Sequence, residues 1–327
     1  MKVAVVGGGA WGTALASVSA RNGTSTVLYA RDAGVVEAIE RTHENPRYLP
    51  GIALPSALRA SSDLADALDG AGIVLLVVPA QTLAAVATSI APFLATGVPV
   101  VLCSKGIEQG SGRFASDVAR AALPLQPLAV LSGPSFAHDV AAGLPTAVTL
   151  AAADDRLAED LSATLSGAAF RIYASADIRG VEVGGALKNV LAIAAGVVSG
   201  RGLGASATAA IVTRGFVELR RLGAALGAEP ETLMGLSGLG DLVLTCASAQ
   251  SRNFAYGIAL GAGADVGALK LAEGVHSAGI AADLASRQGI EAPIIETVAA
   301  ILLAKLSIDD AIASLLARPL RREDRVG

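Results

Sequence analysis

The hydrophobic positions of this chain change period once, near residue 177. Before that point apolar residues come in short runs rich in valine, leucine and isoleucine. After it they recur at helical spacing through long alanine- and leucine-rich segments interrupted by glycine. Runs at 2–6, 26–30, 73–78, 98–104, 128–131, 147–152 and 170–174 predict buried strands. Helices are expected over 13–21, 63–69, 81–93 and 156–165, with a loop over 43–55. Strands alternating with helices imply a parallel, doubly wound α/β sheet. An all-α second half follows. The expected domains are 1–177 and 178–327, and the charged end, 318–327, is expected to fray.

Glycine gives the first half its chemistry. Gly7, Gly9 and Gly12 stand between the first strand and the first helix in dinucleotide-fingerprint spacing. The first allows a tight turn, the second lets the backbone approach a pyrophosphate, and the third lets helix pack on strand. Free N–H groups at the helix start then face the anion. A Rossmann-type dinucleotide-binding domain is therefore expected. A secretory leader competes for the same residues, since Lys2 precedes an apolar run and small residues fill 16–20. The fingerprint glycines interrupt the continuous apolar helix that a leader needs. At the end of the second strand Arg31 precedes Asp32. An acid there suits the ribose of NAD and an arginine the 2′-phosphate of NADP. Arg31 favours NADP(H), with NAD(H) as the alternative and a solvated Arg–Asp turn as the plain reading.

Composition sets limits. Of 327 residues, 53% are hydrophobic and 17% charged, enough for a large core. A net charge of -4 argues against nucleic acid as a partner. The cysteines, Cys103 and Cys246, have no second cysteine or histidine at metal spacing, so no metal site is expected. They read as buried, reduced thiols of a cytoplasmic protein. The uncharged stretch between Asp69 and Lys105 could span a bilayer by length, but Pro79, Pro92 and Pro99 divide it into strand, helix and strand, and no transmembrane helix is expected.

Candidate chemistry lies at a few positions. Lys105 ends a strand, where ligands of such sheets bind, although a surface lysine is commoner. Gly133-Pro134-Ser135 follows another strand as a turn or a ligand loop. His138 reads as a surface residue. Lys188 is the only charge between Glu182 and Arg201 and shares a helix face with Gly184 and Gly185. A lysine there either snorkels to water or is held for proton transfer, which burial would aid by lowering its pKa. Asp241, after Gly238 and Gly240, is either an N-cap or the partner of that lysine, with Thr245 one turn on. Ser251-Arg252-Asn253 can clamp a phosphate or form a solvated loop. Glu273 has no role by pattern.

These motifs together resemble the bacterial NAD(P)-dependent glycerol-3-phosphate dehydrogenase family. The likeness runs from Lys2 to about Ala317. It rests on residues 7–16, 104–108, 131–135, 184–189, 238–242, 251–253 and 273–274. The resemblance implies reduction of dihydroxyacetone phosphate to sn-glycerol 3-phosphate, the phospholipid backbone. It implies Lys188 as general acid or base, with Asp241 against the reacting centre and Thr245 nearby. Lys105, Asn189, Gly133 and Ser135 would line the substrate pocket, and Ser251, Arg252 and Asn253 would grip the phosphate. Gly7, Gly9, Ala10, Trp11, Gly12, Arg31, Lys105, Ala137, Arg252 and Glu273 would meet the cofactor. A homodimer is the expected assembly. The chain departs from the family at Ala10, usually serine, and at 204–208, usually Gly-Asp-Asn-Ala-Lys. Two other readings stay open: a β-hydroxyacid dehydrogenase and a non-catalytic NADP sensor.

Overall fold

The computed structural model describes residues 1–267, 269 and 272–319; the tail positions 320–327 lie outside the described residues. The chain divides into two compact units, Met1–Glu108 with Arg113–Glu182, and Gln109–Gly112 with Val183–Gly327.

The first unit holds strands β1 (Lys2–Val6), β2 (Ser25–Tyr29), β3 (Glu44–Asn45), β4 (Leu49–Ala53), β5 (Arg59–Ser61), β6 (Ala71–Leu76), β7 (Val100–Leu102), β8 (Leu128–Ser132), β9 (Thr146–Ala152) and β10 (Phe170–Ser175). Its helices are α1 (Ala10–Arg21), α2 (Ala33–Thr42), α3 (Leu64–Leu68), α4 (Leu83–Ile90), α5 (Ala115–Ala122), α6 (Ala137–Ala141) and α7 (Asp155–Leu165). Eight strands form one sheet in the order β10-β9-β8-β7-β6-β1-β2-β5. Val3 and Val5 of β1 join one buried cluster, while Ala4 and Val6 join another. Both faces of the sheet are covered, which is why its strands read as unbroken apolar runs rather than as alternation.

Two expectations need correction. The sheet is mixed, because β9 pairs antiparallel with β8 and parallel with β10. An apolar run announces a strand but not its direction. The expected loop over 43–55 contains a hairpin, β3 against β4. Pro46 and Pro50 hide it from periodicity, and its anchor is polar: the Asn45 side chain, fully buried, donates to Gly8 O at 3.2 Å and Thr13 Oγ1 at 2.8 Å.

The second unit carries most of α8 (Ile178–Gly200), then α9 (Ala205–Ala225), α10 (Pro230–Met234), α11 (Asp241–Ala247), α12 (Arg252–Gly261), α13 (Glu273–Arg287), α14 (Pro293–Leu302) and α15 (Ile308–Leu316). No strand occurs among its described residues. Among the described residues α8 is the one unbroken helix long and apolar enough to cross a membrane, and 94% of its apolar window is buried within the protein. Its greasiness serves the core. Gly196 and Gly200 of α8 meet Gly257 and Gly261 of α12. A Cβ at Gly196 would lie 2.3 Å from Phe254 O, and one at Gly261 2.4 Å from Val197 O. Only hydrogen on both sides allows the backbones this close.

Candidate active site

In the first unit the strand ends build a glycine-lined cradle. Gly7 has φ +130, and a Cβ there would fall 2.1 Å from Val77 O. A Cβ on Gly12 would fall 1.9 Å from Gly7 O, whereas one on Gly9 would meet nothing within 4 Å. The turn is thus closed on its inner side and open at Gly9. Helix α1 begins without a side-chain cap, leaving the N–H groups of its first turn to an anion. These features fit a dinucleotide pyrophosphate, and Ala10 adds no hydroxyl to it. Trp11 packs its ring on Phe170, centroids 6.5 Å apart. Its Nε1 is buried without a hydrogen-bond partner among the described residues. Arg31 lies exposed just past β2, while Asp32 caps α2, its Oδ1 accepting from Gly34 N at 2.9 Å.

Further along the same sheet, Lys105 follows β7 and Gly133 follows β8. Lys105 Nζ donates to Gly133 O at 2.9 Å, and Ser135 Oγ donates to the same oxygen at 2.9 Å. Gly133, at φ +148, could carry no side chain, since its Cβ would fall 2.8 Å from Val148 Cα. One carbonyl therefore gathers two of the candidate polar groups at the carboxyl ends of neighbouring strands. Ala137 opens α6, and His138 is exposed beside it.

The second unit centres on Lys188, which is 6% exposed. Its Nζ donates to Asp241 Oδ1 at 2.7 Å and to Thr245 Oγ1 at 2.8 Å. Thr245 Oγ1 in turn donates to Asp241 Oδ1 at 3.3 Å. The carboxylate offsets the cost of burying the ammonium, a pairing whose rupture typically costs about 3–5 kcal/mol. Asp241 is not a cap. Gly240 holds the N-cap position and Asp241 is the first residue of α11, its carboxylate turned to the lysine. Nor do the glycines before it break the chain. Leu236–Gly240 forms a π-helical turn leading straight into α11. The reason is backbone contact: a Cβ on Gly184 would fall 2.7 Å from Ser237 O, and one on Gly238 2.0 Å from Leu233 O. The face shared by Gly184 and Lys188 is therefore the face on which the Asp241 segment rests. Burial pushes the nearby Cys246 thiol up to about 12, so it is inert as a nucleophile.

The Ser251-Arg252-Asn253 segment is the start of a helix rather than a loop. Ser251 Oγ caps α12 by accepting from Phe254 N at 3.2 Å. Arg252 is exposed, and Asn253 is buried. Asn253 Nδ2 donates to Asn189 Oδ1 at 2.9 Å, and its Oδ1 accepts from Gly274 N at 2.8 Å. One amide thus ties α8, α12 and the first turn of α13 together and sets Arg252 and Glu273 at the ends of two helices. Sequence reasoning overlooked Asn45, which pins the Gly-rich turn, and the Gly196–Gly200 and Gly257–Gly261 pairs, which seat α12. The four-residue glycine spacing in both helices was the available signal.

The chain matches the family models described as NAD-dependent glycerol-3-phosphate dehydrogenase N-terminus, over residues 2–158, and C-terminus, over residues 177–313. It is 57% identical over 323 residues to the glycerol-3-phosphate dehydrogenase [NAD(P)+] of Brucella canis, covering 99% of each chain. Likeness to the Mesorhizobium japonicum protein of the same name is 58%, covering 98% of this chain and 94% of the other. Among solved structures, the crystal structure of glycerol-3-phosphate dehydrogenase from Coxiella burnetii superposes with a TM-score of 0.91 at 40% identity, covering 97% of this chain and 99% of that one.

Proposed function

Because the chain belongs to the NAD-dependent glycerol-3-phosphate dehydrogenase family, we propose that it reduces dihydroxyacetone phosphate to sn-glycerol 3-phosphate, reversibly, with NADP(H) preferred over NAD(H). The bound nicotinamide would supply the hydride that reaches C2 of the ketone. Lys188 is the general acid that protonates the oxygen left on C2, and it takes the proton back in the reverse direction. Its ammonium has three donors. Donation to Asp241 and Thr245 fixes how that ammonium is oriented. Fixed positive charge beside a developing alkoxide is worth several kcal/mol of barrier, of the order of about 3 kcal/mol per well-placed donor. Lys105 and Asn189 hold substrate oxygens, with Gly133 and Ser135 lining the pocket. The phosphate is gripped by Ser251, Arg252 and Asn253, where the exposed guanidinium can offer two parallel hydrogen bonds. Gly7, Gly9, Ala10, Trp11, Gly12, Arg31, Lys105, Ala137, Arg252 and Glu273 are the proposed cofactor contacts.

One observation carries this reading: the buried Lys188 ammonium held between Asp241 and Thr245. A protein that only senses nucleotide has no use for such a costly arrangement. The NADP preference is supported by the exposed Arg31 and by the use of Asp32 as a cap. The reading carries a two-domain division near 177, and a cytoplasmic homodimer, which light scattering checks. The deciding experiment is steady-state reduction of dihydroxyacetone phosphate with NADPH and NADH in turn, for the wild type and Lys188→Ala. Turnover in the variant should fall by at least about 10²-fold; near-normal turnover refutes the assignment. Activity on a hydroxyacid but not on the ketone phosphate would replace the substrate.

A further inference from the structure

The end of β2 presents a conflict of charge. Asp32 lies twenty residues after Gly12, about the place where an acid accepts from the ribose 2′-hydroxyl of NAD and repels the 2′-phosphate of NADP. Yet Arg31 beside it suits that phosphate. The β3–β4 hairpin resolves the conflict. Its turn carries Arg47, whose Nη1 is ion-paired with Asp32 Oδ2. The other oxygen, Oδ1, takes the Gly34 N–H. Both oxygens of the acid are thereby engaged, one on the start of α2 and one on the hairpin.

The hairpin does not merely drift against this corner. Asn45 fastens it to Gly8 of the Gly-rich turn and to Thr13 in the first turn of α1. Tyr48 N donates to Asn45 Oδ1 at 3.3 Å. The Arg47 guanidinium lies over the Tyr48 ring, 5.3 Å from its centroid. The same segment that braces the pyrophosphate loop therefore carries the cation that neutralises Asp32.

We propose that Arg47 is a positioning residue for cofactor choice: it holds the Asp32 carboxylate away from the nucleotide's 2′-phosphate and leaves Arg31 as the net charge that this phosphate meets. The inference rests on the NADP preference proposed above. Both partners are partly exposed, with Arg47 62% and Asp32 41% accessible, so the effect is screened and modest rather than absolute.

The test is calorimetric titration of the full chain, free of other ligands, with adenosine 2′,5′-bisphosphate and with adenosine 5′-monophosphate. The wild type should bind the bisphosphate more tightly. Arg47→Gln should weaken the bisphosphate about fivefold at low salt and move the monophosphate by less than about twofold. Adding Asp32→Asn should restore the bisphosphate to within about twofold of wild type, because asparagine still caps α2 but no longer repels phosphate. Equal weakening of both nucleotides would make the hairpin a structural brace and overturn the proposal, as would no change in either. A selective loss that Asp32→Asn fails to rescue would place Arg47 on the phosphate itself and overturn the route through Asp32. A wild type with no preference for the bisphosphate removes the NADP reading and this inference with it, whereas a wild-type preference unaltered in Arg47→Gln removes the inference alone.

Discussion

Gly184→Ala perturbs the proposed centre without touching any polar group in it. The new Cβ would stand 2.7 Å from Ser237 O, 2.9 Å from Gly238 Cα and 3.0 Å from Ser237 C, where ordinary contacts begin at 3.4 Å. All three atoms are backbone, so no flexible side chain can swing aside. The π-helical turn has to retreat from α8 by roughly 0.7 Å, as overpacked backbone does. That turn leads into Asp241, whose bond to Lys188 is 2.7 Å. A retreat of this size stretches it beyond the range of a charge-assisted hydrogen bond. Overpacking of this kind costs about 1–3 kcal/mol, and misplacement of a reacting group by about 1 Å can cost about 10²-fold in rate. We expect kcat to fall about 10- to 100-fold, urea unfolding to report about 1–3 kcal/mol of lost stability, and nucleotide affinity to hold. Gly279→Ala in α13, where a Cβ meets nothing within 4 Å, is the control. It should gain up to about 1 kcal/mol with activity unchanged. If Gly184→Ala loses stability but keeps kcat within about twofold of wild type, the contact does not position the pair, and the link from packing to rate fails.

Arg252→Ala should raise KM for the ketone phosphate far more than it lowers kcat, and an unchanged KM would remove Arg252 from the phosphate clamp. Burial pushes two internal carboxyls up to about 7, Glu182 against the hydrogen bonds of Ser116 and Glu218 against those of Ile294 and Ile295. Their folded pKa exceeds the ordinary 4.5, so the native state binds more protons, and their contribution to stability falls as pH rises from about 4.5 to about 7. Glu182→Gln should flatten the fall of urea midpoint across that window; an identical slope would refute the assignment. Both thiols are pushed up to about 12, chiefly by burial. A disulfide reagent should therefore label Cys103 and Cys246 only after denaturation, and fast stoichiometric labelling of the native protein would contradict their burial.

Much of the fold could be read from the chain because local chemistry repeats along it. Apolar runs without alternation meant strands covered on both faces, and a glycine at each special place in the first turn meant close backbone approach. Lys188 stood out because no other charge lies between Glu182 and Arg201. What local pattern lacked was direction and partner. Strand β9 looks like its neighbours in composition yet runs the other way. The hairpin at 44–53 was illegible because one buried amide, rather than a hydrophobic stripe, anchors it. The cap-like Asp241 was chemically ambiguous until packing brought it to a lysine 53 residues away.

The chain by itself determined an α/β unit followed by an all-helical one, a Gly-rich turn suited to a dinucleotide, and an isolated lysine in an apolar helix. Those are properties of residues within a turn or two of each other. Tertiary structure alone decided which acid answers that lysine, which arginine answers Asp32, and how glycine-faced helices seat the segment that opens with Ser251-Arg252-Asn253. Such pairings join residues far apart in sequence. The lysine pair forms where missing Cβ atoms let backbones touch and where burial makes an unpaired charge too costly to leave, and the half-exposed Asp32 pair forms where the Asn45 anchor brings the hairpin's Arg47 to it.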